Sequence, residues 1–159
     1  MHSELVYVLR TIVSFDKDDE DDWRVLLDCG HRRHLRHDPP RESRPDLVDP
    51  ERRAAALGKR IECGRCRQRL LPEEAEVYKS TPIFTQETLP NGLLANHSLK
   101  AGVWGRVVVL EGSVAFCEGA TREELTQGDS WTVLPEVVHH LELSGPVRLR
   151  VDFLRSARS

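Results

Sequence analysis

The sequence predicts a mainly β chain in two modules: a small β-rich module with one short helix, then an antiparallel sandwich or small barrel. Three observations carry this reading. Residues 23–29, WRVLLDC, alternate apolar and polar residues with the period of a half-buried strand. From about residue 78, short apolar segments are separated by Gly, Pro or polar turns, as in an all-β domain. One stretch, DPERRAAALGKR at 49–60, carries a compact helix signal.

Taken in order, residues 4–15 are rich in Val, Ile, Leu, Tyr and Phe and read as a first strand. The second, over 23–29, sets Trp23, Val25, Leu27 and Cys29 on one face. Between them, residues 16–22 (DKDDEDD) hold six acids and one lysine, which suits an exposed hairpin loop. Residues 38–50 hold four prolines among many charges and read as loop. In the helix, Asp49 suits the N-cap, Pro50 the first helical position and Gly58 the left-handed C-terminal cap. LPEEAEVYKSTP at 71–82 reads as a connector. Strands follow in LLANHSL, RVVVLEGSVAFC, DSWTVLP, VVHHLEL and VRLRVDFL, with EGATREELTQG as a turn of helix or a loose hairpin. The predicted modules span residues 1–72 and 78–155.

The 159 residues are 39% hydrophobic and 31% charged, a globular rather than a disordered composition. No apolar run approaches the roughly 20 residues that span a bilayer, so no membrane association is expected. The start lacks a basic region and a small-residue cleavage site, so a cytoplasmic address is expected. Thiols stay reduced there, and the four cysteines read as ligands or core residues rather than disulfides. Net charge is only -3, but residues 24–69 hold 13 Lys/Arg against seven Asp/Glu. This excess can attract an anionic partner or form a solvated basic face. Dinucleotide fingerprint, P-loop and nucleophile-elbow motifs are all missing from the sequence, so nucleotide-dependent and serine-hydrolase chemistry have no footing.

The strongest chemical signal is CGH at 29–31 together with CGRC at 63–66. Zinc prefers four thiolate or imidazole ligands in a tetrahedron, and two closely spaced pairs from separate turns supply them. Gly30 permits a turn, and Gly64 suits a tight knuckle. Cys29, His31, Cys63 and Cys66 therefore form the expected zinc set, with His34 as the alternative ligand. His31, His34 and His37 are spaced by three, so regular structure cannot aim all of them at one ion. A redox dithiol is the competing reading of the C-x-x-C, but it lacks a thioredoxin-like βαβ context. Unligated buried cysteines are the other. A metal would add folding free energy that a core of this size cannot.

Over about residues 12–68, WRVLLDCGHRRHLRHDPP and GKRIECGRC resemble a small bacterial domain family with a CGH-x-x-H-x-x-H-x-P-P run and a C-x-x-C. That resemblance implies no particular activity. Residues 78–155 carry STPIFTQETLPNGLLANHSLKAGVWGRVVVLEGSVAF, GDSWTVLPEVVHHLEL and VRLRVDFL. They resemble the cupin-like family that includes YeaR and the N-terminal part of some TehB tellurite-resistance proteins. The resemblance implies a double-stranded β-helix, or jelly roll, with His97 in the first metal-binding motif and His139 in the second. The usual second histidine is replaced by Leu99, and Gly105 stands close to the place of the usual glutamate. A divalent barrel metal at His97 and His139 and hydrogen-bonded core histidines both remain open. Imidazole suits Zn, Fe, Ni or Cu alike.

Arg106 and Asp152 are further candidates, as ligand-binding residues at the barrel. Asp152 shares parity with Arg148 and Arg150 and is expected to face away from the core, and a surface role for Arg106 is the alternative. His140 should point opposite to His139, and Cys117 reads as a small buried hydrophobe. Three functions follow. The family resemblance implies a metal-binding stress-response protein connected with tellurite or other oxyanions, its small-molecule ligand held in a barrel pocket. A barrel metal with open positions would instead suit an enzyme acting on a small organic substrate. The basic module would suit nucleic-acid binding, although aromatics for base stacking and a recognition helix are lacking. After residue 155 only SARS remains, so no methyltransferase module is expected.

Overall fold

The computed structural model describes residues 8–35 and 44–156. Residues 4–7 of the predicted first strand, His37 and residues 38–43 of the predicted proline-rich loop fall outside them, and the rest of that loop holds a short helix. The chain divides into two compact units, Met1–Glu73 and Glu74–Ser159.

The first unit is built on β1 (Leu9–Lys17), β2 (Trp23–Leu27), β3 (Arg32–His34) and β4 (Arg60–Glu62), in the sheet order β3-β2-β1-β4. Its helices are α1 (Pro45–Val48), α2 (Pro50–Ala56) and α3 (Gly64–Arg67). Alternation buries Val8, Arg10 and Ile12 on one face, while Leu9 and Val13 are exposed. Val25, Leu27 and Cys29 are buried together, as the period-2 pattern predicts. The acidic run forms the β1–β2 turn, where Asp18 Oδ1 accepts from the backbone N–H groups of Glu20 and Asp22. α2 begins as expected, with Asp49 accepting from the Glu51 N–H and Pro50 in the first turn. Gly58 follows its end at φ +85°, a conformation that favours glycine.

The second unit comprises β5 (Ala75–Ser80), β6 (Phe84–Thr85), a helical turn α4 (Asn91–Leu94), β7 (Trp104–Glu118), β8 (Thr121–Thr126), β9 (Ser130–Val133) and β10 (His140–Ser156). The expected connector thus contains β5, whose residues are mostly exposed and carry little apolar pattern. The LLANHSL stretch begins in α4 rather than a strand; beyond it His97 and Leu99 make isolated bridges to His139 and Pro135. EGATREELTQG is the β7–β8 hairpin.

The long antiparallel pair β7–β10 is the spine, with β5 and β6 on β10 and with β8 and β9 on β7. Its register shifts between Leu143 and Val147, opposite Gly112. β9 pairs with the first half of β7 and β8 with the second. Val107, Val109 and Val151 nevertheless join Val114, Phe116, Leu125 and Leu141 in one core, so the sheet curls over on itself. The unit is the cupin-like barrel that the sequence predicts.

Gly112 is demanded by this curl. It has φ +76°, and an added Cβ would lie 2.0 Å from the Pro146 carbonyl oxygen. Gly112→Ala is expected to destabilise the chain by at least about 1–3 kcal/mol, from backbone strain alone. Denaturant unfolding checks this; unchanged stability would show that the bend does not depend on glycine.

Candidate metal centre

The geometry of the first unit explains how two distant turns meet. β2 and β4 both run antiparallel to β1, one on each side. Their C-terminal ends therefore lie at the same edge, near the start of β1. Cys29 follows β2 and Cys63 follows β4; the Cys63 N–H donates to the Val8 carbonyl at 2.8 Å. Gly30, at φ +96°, closes the turn in which the Leu27 N–H bonds the His31 carbonyl. Cys63 caps α3, and Cys66 follows one helical turn later. Gly64 is not demanded there: an added Cβ would meet nothing within 4 Å.

Cys29, His31, Cys63 and Cys66 are all buried, and their ligand atoms lie within 4.8 Å of one another. His31 Nδ1 stands 3.4 Å from the Cys29 sulfur, 3.4 Å from that of Cys63 and 3.5 Å from that of Cys66. The Cys29 and Cys63 sulfurs are 3.9 Å apart. A zinc-sized tetrahedral ion, bonded at about 2.3 Å to sulfur and about 2.0–2.1 Å to nitrogen, has edges of about 3.8 Å (S···S) and about 3.6 Å (S···N). The four donors fit such an ion.

Two further groups support them. His31 Nε2 lies 2.6 Å from the Leu70 carbonyl oxygen, which can only accept, so Nε2 carries a proton and Nδ1 is the nitrogen turned toward the sulfurs. Buried Arg10 donates from Nε to the Cys66 sulfur at 3.4 Å. Hydrogen bonds with Cys29 and Cys66 hold the Cys63 thiol well below its usual value, while those with Cys63 and Cys66 push Cys29 up. Burial disfavours protonated His31, but Cys63 and Cys66 outweigh it and raise its pKa to about 9.

His34 lies outside this group. It extends from β3, and its Nε2 meets Asp18 Oδ2 at 2.8 Å. Several arginines of the basic stretch are also engaged within the unit. Arg24 and Arg32 pair with Asp16, Arg67 pairs with Glu62, and Arg53 lies 4.1 Å over the Trp23 ring.

In the barrel, the structure brings His97 and His139 together. Each N–H donates to the other's carbonyl, at 3.0 and 2.9 Å, and the rings meet edge to face with centroids 4.2 Å apart. His97 Nδ1 lies 2.9 Å from the Ala95 carbonyl and His139 Nδ1 2.9 Å from that of Val137. Both Nδ1 atoms therefore donate, and both Nε2 atoms keep their lone pairs. Among the described residues, no third His, Cys, Asp or Glu joins the pair within ligand distance. An open concavity of about 420 Å³ on this unit is lined by residues such as Gln86, Glu111 and Arg148, not by these histidines.

Arg106 and Asp152 face each other across β7 and β10, on the side away from the core. Asp152 is buried and accepts from Ser80 at 2.7 Å, Arg150 at 3.1 Å and Arg106 at 3.3 Å. This pairing spends the carboxylate inside the wall instead of offering it to the His97–His139 pair.

Comparison with known proteins places both units. Residues 79–151 match the TehB-like domain. Residues 13–70 match a second family, described as protein of unknown function DUF3565. A relative named probable S-adenosyl-L-methionine-dependent methyltransferase TehB, from Haemophilus influenzae strain 10810, is 35% identical over 48 residues. Those residues are 30% of this chain and 17% of the relative, so the chain spans a small part of that protein's length. The crystal structure of TehB from Haemophilus influenzae superposes with a TM-score of 0.50 at 27% identity, over 53% of this chain and 32% of that one. A crystal structure of an E. coli K12 protein superposes with a TM-score of 0.52 at 23% identity, over 55% of this chain and 97% of that one, a likeness of fold. Among the described residues no helix is long and apolar enough to cross a membrane.

Burial works to raise the Asp152 pKa, but Ser80, Arg150 and Arg106 outweigh it and hold the carboxyl below its usual value. Such a group stabilises the fold above its unfolded pKa, and the contribution is lost as pH falls through the folded one. Asp152→Asn is expected to cost about 1–3 kcal/mol at neutral pH, with the gap from wild type closing in acid below the ordinary carboxylate range. Urea unfolding at both pH values is the measurement. A gap that stays constant would assign the loss to packing.

Proposed function

We propose that this chain is a metal-binding, cupin-like stress-response protein related to tellurite or oxyanion resistance, with a structural zinc in its first unit. The carrying observation is the match between the Cys29–His31–Cys63–Cys66 spacings and a closed zinc tetrahedron. Closed four-ligand sites are structural, since no position is left for a substrate. A reducing, cytoplasmic environment suits three free thiolates. Three thiolates around a divalent ion carry one net negative charge, and the guanidinium of Arg10 balances it. In this reading the zinc unit is scaffold or docking surface, and a small-molecule or oxyanion ligand belongs to the barrel. The resistance context rests on the family resemblance of residues 78–155, with which the TehB-like match agrees.

The fixed His97 and His139 tautomers favour a second reading for the barrel. With each Nδ1 held by a backbone carbonyl, Nε2 is the nitrogen that would ligate a divalent metal, water completing its shell. Such a metal would supply Lewis-acid or redox chemistry toward a small organic substrate. The chain's own contribution is to orient both imidazoles through their Nδ1 contacts, with the Phe116 ring 5.4 Å from that of His139.

Metal analysis of the purified chain beside Cys63→Ala/Cys66→Ala and His97→Ala/His139→Ala tests both readings. The first variant is expected to lose one equivalent of zinc, and loss of hydrogen-exchange protection should be confined to residues 8–35 and 44–70. Full zinc content in that variant would sink the structural-zinc reading. If the second variant loses no metal, the barrel metal is refuted. Arg10→Met, which keeps all four ligands, is expected to weaken zinc binding about 10–100-fold in competition with a chromophoric chelator. Unaltered affinity would remove Arg10 from the metal centre.

A further inference from the structure

The outer face of the barrel wall carries a second group of metal-ligating side chains. Cys117 on β7 lies directly opposite His140 on β10 and Arg122 on β8. Glu142 follows His140 by two residues and so shares its face. The alternating neighbours Phe116, Leu125 and Leu141 fill the core, which turns this set outward. The ligand atoms of Cys117, His140 and Glu142 lie within 4.8 Å of one another.

The imidazole contacts point to a cation at this place. His140 Nδ1 faces Asn96 Oδ1 at 2.9 Å, while Nε2 faces Glu142 Oε1 at 3.1 Å. A neutral imidazole has one N–H and cannot donate to two acceptors. With Nδ1–H donating to Asn96 Oδ1, the Nε2 lone pair of a neutral ring faces Glu142 Oε1, an arrangement that a metal ion or a proton between them would satisfy. Asn96 then fixes the ring in the orientation that a ligand histidine requires. Arg122 donates to the other carboxylate oxygen, Oε2, and also reaches the Cys117 sulfur at 3.6 Å. Glu142 can thus ligate through Oε1 while Arg122 steadies Oε2.

We propose that Cys117, His140 and Glu142 form a separate, three-ligand site for a divalent transition ion of the zinc type, open to water at its fourth position. One sulfur, one nitrogen and one carboxylate oxygen suit an ion of intermediate softness. Three protein ligands with an open position contrast with the closed Cys29–His31–Cys63–Cys66 set. A cysteine ligates a metal as its thiolate, so binding releases the Cys117 thiol proton to solvent as the sulfur–metal bond forms.

Cobalt(II) added to the full chain carrying one equivalent of zinc, enough for the tighter closed site alone, tests the second site. The chain has four cysteines, three of them in the buried first-unit group, so a new thiolate-to-cobalt absorption band reports on Cys117. Zinc outcompetes cobalt at the closed site and keeps it silent. The band is expected in wild type and in His97→Ala/His139→Ala, and it should vanish in Cys117→Ala. His140→Ala and Glu142→Gln should weaken cobalt binding about tenfold or more. His140 is half-buried and Glu142 is exposed, so their variants report even if Cys117→Ala fails to fold. No band in wild type, or full binding in both variants, would leave a proton-bridged ion pair and overturn the proposal.

Discussion

Antiparallel pairing on both sides of β1 is the constraint on which the first unit depends. Because β2 and β4 share a direction, their ends meet at one edge, and each end delivers a cysteine. The same strand supplies Arg10 from its buried face, between Val8 and Ile12. A buried guanidinium on an apolar face is costly unless it meets negative charge. Sulfur provides that charge, so the strand's one breach of apolar alternation and the metal centre explain each other.

The barrel solves a different problem. Its interior is filled by apolar side chains from both halves of the curled β7–β10 pair, and Trp104, Phe116 and Leu149 are fully buried. Its polar groups are placed on the margins. His97 and His139 sit where the chain closes through an isolated bridge, each with one nitrogen committed to a backbone carbonyl. Asp152, Arg106 and Arg150 bind one another on the outer face. The TehB-like match and the cupin-like architecture describe this unit's fold, and chemistry is left to the few imidazoles and carboxylates along its walls.

Much of this was legible in the residues. The α2 caps follow from local chemistry, because Asp49, Pro50 and Gly58 each answer a need of a helix terminus. The alternation of Trp23 to Cys29 marked the buried face of β2. The paired CGH and CGRC turns marked three cysteines and offered His31, with His34 as its alternative, since ligand type and spacing are written in the chain. β3 and β4 were missed because three residues are too few to display a period. β5 was missed because its side chains are largely exposed. The parity of Arg10 with Val8 and Ile12 was a visible signal of its burial, but not of its partner.

What the sequence determined alone is therefore a matter of local periodicity and donor chemistry: two β-rich units, a helix with its caps, and a zinc-type ligand set. Tertiary structure decided which histidine completes that set, by anchoring His31 Nε2 on the Leu70 carbonyl and sending His34 to Asp18. It also set Cys117 opposite His140, a pairing that exists only in the register of β7 and β10. Backbone carbonyls and strand registers leave no mark in residue order, because they arise when distant segments exchange hydrogen bonds.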